Sequence, residues 1–347
     1  MRKKNFTTKE KLFIALSIVA LAAILCIRTI NKETKNSYTT QDGFAQGGTY
    51  HIVYKESNQI KNINLPDSLN TYFNNINRSI SGYDSLSIIS RVNRGEDILL
   101  DSIFINTFNS SMEIFNASKG EFDISGGPLF NIWGFGFKNK EHVTKEKIDS
   151  ILTFIGMNKL HIKDGKLIKA DPRMQVNFNA IAQGYTCDYI GSKLETLGVT
   201  DYLIEVGGEI MCKGVNSKGK EWRVGIDKPI DGNNIQGDQM QAIIELSNKG
   251  LVTSGNYRKF YIENGEKFAH TINPKTGYPV KHNLLSATVI AENATIADAY
   301  ATYFMVIGLN EAKKVLKNIK NLEAFLIFAN GEKMESFATD GIKMELQ

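Results

Sequence analysis

Strand-forming runs recur along the chain from Thr49 to Phe328, and helices of unequal length fall between them without regular alternation. That irregularity restrains the fold more than any other feature. A parallel sheet needs a crossover after every strand, whereas turn pairs at Asp164-Gly165 and Asn264-Gly265 join antiparallel neighbours. Mixed strands and helices without βαβ repetition define an α+β domain. The expected strands lie at residues 49–54, 159–169 (a hairpin), 202–211 (interrupted by Gly207-Gly208), 222–227, 242–247, 251–254, 259–262, 286–291 and 323–328, with a short one after Gly331.

Helices are read from apolar spacing. Over residues 67–79, Leu69, Phe73, Ile76 and Ile80 share one face; over 101–117, Phe104, Phe108, Met112 and Phe115 do. Shorter helices are expected at 86–92 and 145–154. One more runs into Leu197 with Gly198 as its stop, and another covers roughly Ala294 to Ile307.

The amino terminus reads differently from the rest. Arg2, Lys3, Lys4, Lys9 and Lys11 precede an uncharged run, 12–27, that is apolar apart from Ser17. The pattern predicts an uncleaved membrane anchor over residues 1–30, with the basic end in the cytoplasm and the remainder exported. A lipid anchor on Cys26 is the runner-up, opposed by the bulk of Leu25 before it. Residues 31–43 read as a polar linker and 44–347 as the folded domain. The net charge of +4 falls close to neutral without the basic terminus. No long Lys/Arg run follows, so no nucleic-acid footprint exists. Cys187 and Cys212 lack CxxC or zinc spacing, and whether they pair is left open.

Four features carry chemistry. His270 lies in a stretch, 268–279, dense in turn-forming residues (Asn273-Pro274, Thr276-Gly277-Tyr278-Pro279), which would aim it from a short strand into a cleft. Asp298 and Thr302 are four apart on a helix whose other facing residues are Ala294, Ala297 and Ala301. They offer two hard oxygen donors on one close-packed face, suited to Mg²⁺ or Ca²⁺. Residues 121–136 combine glycine and aromatics, as either a tight buried crossover or a wall for a flat ring. The junction at 177–185 offers a helix N-terminus to an anion. Walker, GxGxxG, GxSxG and HExxH patterns are all missing.

In order along the chain come Phe122-Asp123-Ile124, Gly127-Pro128-Leu129, Trp133-Gly134-Phe135-Gly136, Ala180-Ile181-Ala182-Gln183-Gly184-Tyr185, Val206-Gly207-Gly208-Glu209, Thr253-Ser254-Gly255-Asn256-Tyr257, the His270 stretch, and Ala297-Asp298-Ala299 with Ala301-Thr302. This series resembles the ApbE family of FAD:protein FMN transferases, from about Gly43 to the last strands. The resemblance implies a single ApbE-like, T-fold-related domain behind its anchor at the bacterial inner membrane, facing the periplasm. It implies transfer of FMN from FAD to a Ser or Thr hydroxyl of an acceptor flavoprotein with release of AMP. The acceptors it implies are subunits of Nqr- and Rnf-type membrane redox complexes.

By the same resemblance, His270 is the general base, and Asp298, Thr302 and the Ala180 carbonyl hold Mg²⁺ (or Ca²⁺). FAD contacts come from Tyr83, Glu121, Phe122, Asp123, Asn177, Gln183 and Ile272, with Gln46 as a further candidate. Ser254, Tyr257 and Arg258 shape the phosphate end. Asn177 and Gln183 stand where many members carry Asp and Lys, so hydrogen bonding to FAD is kept while charge is lost. An Mg²⁺-dependent FAD pyrophosphatase would use the same residues. A tethered flavin-storage protein would have no use for the base, and a non-flavin interaction module would leave 121–136 as core packing.

Overall fold

The computed structural model describes residues 37–136, 142–230, 239–256, 260–263 and 266–347. The first two strands, β1 (Tyr38–Ala45) and β2 (Gly48–Lys55), form a hairpin. Helices α1 (Leu65–Ile80), α2 (Ile88–Asn93), α3 (Ser102–Ala117), α4 (Gly127–Ile132) and α5 (Lys145–Phe154) follow, then a small hairpin of β3 (Leu160–Lys163) and β4 (Lys166–Lys169). Helix α6 (Ala182–Thr196) leads into β5 (Tyr202–Val206), β6 (Glu209–Lys213), β7 (Trp222–Asp227), β8 (Met240–Leu246) and β9 (Lys249–Gly255). The hairpin of β10 (Phe260–Glu263) and β11 (Glu266–Ala269) precedes β12 (Leu284–Ala291) and α7 (Ala294–Leu316). Strands β13 (Glu323–Asn330), β14 (Lys333–Ala338) and β15 (Lys343–Leu346) complete the set.

Among the described residues, an eight-stranded sheet runs β1-β2-β5-β6-β9-β12-β13-β14, and a second sheet runs β15-β8-β7. Neighbours in both pair antiparallel throughout. Period-two alternation sorts the side chains of the large sheet between two cores. Tyr202, Ile204, Val206, Val252, Ala287, Val289, Ala324 and Leu326 face the helical side. Leu203, Ile210, Cys212, Leu251, Ile290, Phe325 and Ile327 face the three-stranded sheet, against Trp222, Val224, Ile226, Ala242, Ile244 and Leu246. The middle strands are therefore buried on both faces, which is why β12 reads as an almost continuous apolar run. The question left open for the cysteines closes here. Cys187 lies in the helical core and Cys212 in the other, both as free buried thiols.

The mixed architecture is the α+β class expected. Several boundaries differ. Strand β1 begins at Tyr38, so residues 38–43 of the expected linker pair with β2 as an edge strand. Gly207-Gly208 do not interrupt one strand; both have positive φ and turn β5 back into β6 as a hairpin. The last long helix goes past Ile307 to Leu316, but it breaks at Gly308 (φ 76°), and the His282 Nε2–H donates to the Met305 carbonyl (2.8 Å). The terminal strand β15, which crosses to pair with β8, is not among the expected strands, although Ile342, Met344 and Leu346 alternate with Lys343 and Glu345. The proposed anchor, residues 31–36 of the linker and the Asn264-Gly265 turn lie outside the described residues. Among the described residues, no helix is long and apolar enough to cross a membrane.

Candidate active site

One wall of the site is the crossing of α6 and α7. Helices approach this closely only where side chains are small. A Cβ on Gly184 would stand 2.3 Å from the Ala294 carbonyl oxygen and 2.8 Å from the Asp298 Cβ, and one on Gly250 of β9 would stand 2.2 Å from the Ala294 nitrogen. Ala294, Ala297 and Ala301 are fully buried along the same helix. The Gly184 N–H donates to Asp298 Oδ2 (3.0 Å), so the buried carboxylate has the partner that its burial demands. Burial nevertheless pushes Asp298 up to about 7, the Gly184 hydrogen bond opposing this and the nearby Asp188 charge adding to it. Thr302, one turn on, lines the cleft beside it.

Before α6 the chain is drawn into a tight turn. Asn177 Oδ1 accepts from the Asn179 N–H (2.8 Å), and the Asn177 N–H donates to the Ile124 carbonyl (2.8 Å). Asn93 of α2 grips the same segment by accepting from and donating to the Val176 backbone (both 2.8 Å). Ala180 follows, at the entrance to α6, and Gln183 extends over Gly207, where a Cβ would lie 2.1 Å from its amide nitrogen.

The opposite wall is the loop after β11. His270 is the first residue beyond that strand, and Ile272 bridges to Pro279 across the turn. Asn273 organises the turn: its Oδ1 accepts from the Lys275 and Thr276 N–H groups (2.9 and 3.0 Å). Outside contacts clamp it. Trp133 Nε1–H donates to the Gly277 carbonyl (2.8 Å), Asn273 Nδ2 donates to Glu121 (3.2 Å), and Lys275 pairs with Glu121 (2.9 Å). Gly277 has φ 77°, and a Cβ there would meet Ile148 at 2.4 Å, so both conformation and space require glycine. The Phe135 ring meets the His270 ring at a steep angle, centroids 6.4 Å apart.

Both walls open on one cleft of about 650 Å³. Tyr83, Glu121, Phe122, Asp123, Asn177, Ala180, Gln183, Ser254, His270, Ile272, Asp298 and Thr302 all line it. Tyr83 is largely exposed at the rim, whereas Phe122, Asn177 and Ile272 are buried. Burial raises the Asp123 carboxyl despite its hydrogen bonds to Ser125. One candidate falls elsewhere. Gln46 turns away from the cleft and donates to Thr186 Oγ1 (2.8 Å), because its positive φ in the β1–β2 turn points the side chain at α6. Arg258 and Tyr257 lie outside the described residues. Stretch 121–136 divides between its two readings: Phe130, Gly134, Phe135 and Gly136 line the cleft, while Leu129, Ile132 and Trp133 pack into the core.

Glu209, Asn179, Met305 and Val306 also line the cleft and were not singled out as site residues from the sequence. Glu209 had one signal, its place directly after a hairpin glycine pair. Among the described residues no group of three His, Cys, Asp or Glu gathers for a metal. The donor set here is of another kind: a buried carboxylate, a hydroxyl and a main-chain carbonyl are hard oxygens that fit Mg²⁺ or Ca²⁺.

An antiparallel sheet covered by two helices, with a ligand-sized cleft lined by an imidazole, oxygen donors and bare backbone, defines an α+β domain with a site for a bulky ligand. The ApbE family profile matches residues 47–326, and the chain belongs to that family. The FAD:protein FMN transferase of Haemophilus influenzae is 33% identical over 323 residues, 89% of this chain and 91% of that protein. That of Escherichia coli K12 is 29% identical over 343 residues, 95% and 96% of the two chains. Among solved structures, the flavin transferase ApbE of Vibrio cholerae superposes with a TM-score of 0.76 at 27% identity, covering 88% of this chain and 97% of that one. The apo flavinyl transferase ApbE of Pseudomonas stutzeri gives 0.78 at 28%, covering 88% and 95%.

Proposed function

We propose that this chain is an FAD:protein FMN transferase, which moves FMN from FAD onto a Ser or Thr hydroxyl of an acceptor flavoprotein and releases AMP. The observation that carries the reading is the meeting, in one cleft, of His270 with the Asp298–Thr302 pair. The acceptor oxygen attacks the phosphorus of the FMN half, the bond from that phosphorus to the AMP oxygen breaks, and the hydroxyl proton passes to His270. A Ser or Thr hydroxyl is a poor nucleophile without such a base. Phe130, Phe135 and the glycines beside them offer an apolar wall for the flavin ring, and the start of α6 offers the positive end of its dipole to the diphosphate.

Asp298, Thr302 and the Ala180 carbonyl would hold Mg²⁺, with Ca²⁺ as the other hard cation of suitable chemistry. When bound there, the ion supplies positive charge against the diphosphate and the departing AMP. The basic, then apolar N-terminal run supports attachment to the inner membrane with this domain on the periplasmic side, by an uncleaved anchor or through a lipid on Cys26. The acceptors in this reading are subunits of Nqr- or Rnf-type membrane redox complexes, on the strength of the family resemblance.

The test uses protein beginning at Asn31, incubated with FAD, Mg²⁺ and a candidate acceptor domain and then run on a denaturing gel. A fluorescent acceptor band is the expected result. Free FMN and AMP with every acceptor tried would replace this reading with FAD hydrolysis.

A further inference from the structure

Helix α7 carries both Asp298 and Thr302, so whatever holds its first turn holds the oxygen-donor pair. A helix start leaves N–H groups without intrahelical partners. The side chain of Asn293, the N-cap, accepts only from the Ile296 N–H (2.8 Å), while its carbonyl takes the Ala297 N–H. The Ala294 and Thr295 N–H groups go to a different helix: Asp188 Oδ1 accepts from Ala294 (2.9 Å) and Oδ2 from Thr295 (2.8 Å). The Thr295 hydroxyl donates to the same Oδ2. One carboxylate thus spans the helix start, where a negative charge also meets the positive end of the dipole.

The second contact between these helices has matching spacing. Gly184, one turn before Asp188 on α6, donates its N–H to Asp298, one turn after Ala294 on α7. Four residues on each helix separate the two contacts, as an antiparallel pair in fixed register requires. Gly184 sets how near the helices lie; Asp188 sets where α7 stops sliding along its axis. A slip of one residue moves the Asp298 carboxylate about 1.5 Å along the axis and rotates it out of the cleft.

We propose that Asp188 is a positioning residue for the cation site: it clamps the start of α7 so that Asp298 and Thr302 face the cleft together. The proposal rests on the transferase reading for the identity of the ion, and not for the clamp itself.

The full chain and its Asp188→Asn and Asp188→Ala variants would be compared in three measurements. These are amide hydrogen exchange over the start of α7, calorimetric titration with Mg²⁺ in the presence of FAD, and labelling rate against Mg²⁺ concentration. Asp188→Ala should speed exchange at Ala294 and Thr295. It should also weaken Mg²⁺ binding and raise the Mg²⁺ needed for half-maximal labelling by about 10-fold or more, as loss of an outer partner of a metal ligand does. Asp188→Asn keeps one accepting oxygen and should fall between the parent and Asp188→Ala, and it keeps the test alive if the alanine variant does not fold. A merely structural residue would lower the melting temperature and the maximal rate while leaving Mg²⁺ half-saturation within about twofold of the parent, and that outcome overturns the proposal. If the parent itself fails to label any acceptor, the transferase reading falls, and exchange with Mg²⁺ calorimetry still decides the role of Asp188.

Discussion

The two walls of the cleft are held by opposite means. Where α7 meets α6 and β9, backbone lies against backbone: Gly184, Gly250 and the buried alanines leave no side chain to adjust, and a main-chain N–H holds Asp298 in place. In the loop after β11, side chains do the holding. Asn273, Glu121, Lys275 and Trp133 each contribute a contact, and removal of one leaves the others. A wall of packed backbone should fail all at once, and a wall of clamps should fail by degrees. That suits the proposed roles, because cation ligands tolerate little displacement whereas a general base must accommodate an incoming acceptor.

The largest effect should come from the functional groups at the face of each wall. His270→Ala and Asp298→Ala are each expected to reduce acceptor labelling by roughly 100-fold or more, with only the second altering the Mg²⁺ dependence. Gel fluorescence over a Mg²⁺ series checks both. Equal, substantial labelling by the two variants would dissolve the distinction between the walls.

Next comes Gly184→Ala. The methyl must push the Ala294 carbonyl away, at a cost of about 1–3 kcal/mol even though alanine favours the helix. Urea unfolding measures that cost, and labelling should fall with it, since parting the helices takes the Asp298 carboxylate from its N–H. An unchanged midpoint would mean that the crossing has slack.

The same wall should respond to pH in the metal-free protein. Asp298 is raised from 3.8 in the unfolded chain to about 7 in the fold. The native state therefore holds its proton more tightly, and this group's contribution to stability falls as pH rises from about 4 to 7, by on the order of a few kcal/mol. Thermal melts of metal-free protein at pH 5 and 8 should differ more for the parent than for Asp298→Asn. Added Mg²⁺ should restore stability at pH 8, where the carboxylate is already deprotonated. Asp188 faces the same carboxylate from α6 and sharpens the effect.

The smallest change belongs to the clamped wall. Trp133→Phe removes the Nε1–H donated to Gly277 but leaves Asn273 and Lys275 engaged, for an expected loss of about 1 kcal/mol. Labelling should slow modestly, with unchanged Mg²⁺ half-saturation. Collapse of activity in this variant would show that the loop is as brittle as the helix crossing.

Much of this molecule can be read locally because its signals are local. Leu69, Phe73 and Ile76 fall on one helical face whatever surrounds them, and all three are buried. Asp164-Gly165 makes a hairpin from its own dihedral preferences. Gly207-Gly208 misleads for a related reason: glycine weakens a strand or turns it, and only the pairing of β5 with β6 decides which. Gln46 misleads in another way, since the direction of a side chain depends on φ in a turn that nearby residues do not dictate.

The linear order of residues by itself determined the α+β class, the faces of the helices, and an inventory of one imidazole, a carboxylate and a hydroxyl four apart, and a glycine-aromatic stretch. These follow from periods of two and 3.6 and from steric limits on single residues. Only the tertiary structure decided that His270 and Asp298 open on the same cleft, that Gln46 does not, and that Asp188 on one helix holds the start of another. Contacts between segments so far apart in the chain arise from how preformed faces pack, and no residue carries a local mark of the neighbour that packing will bring to it.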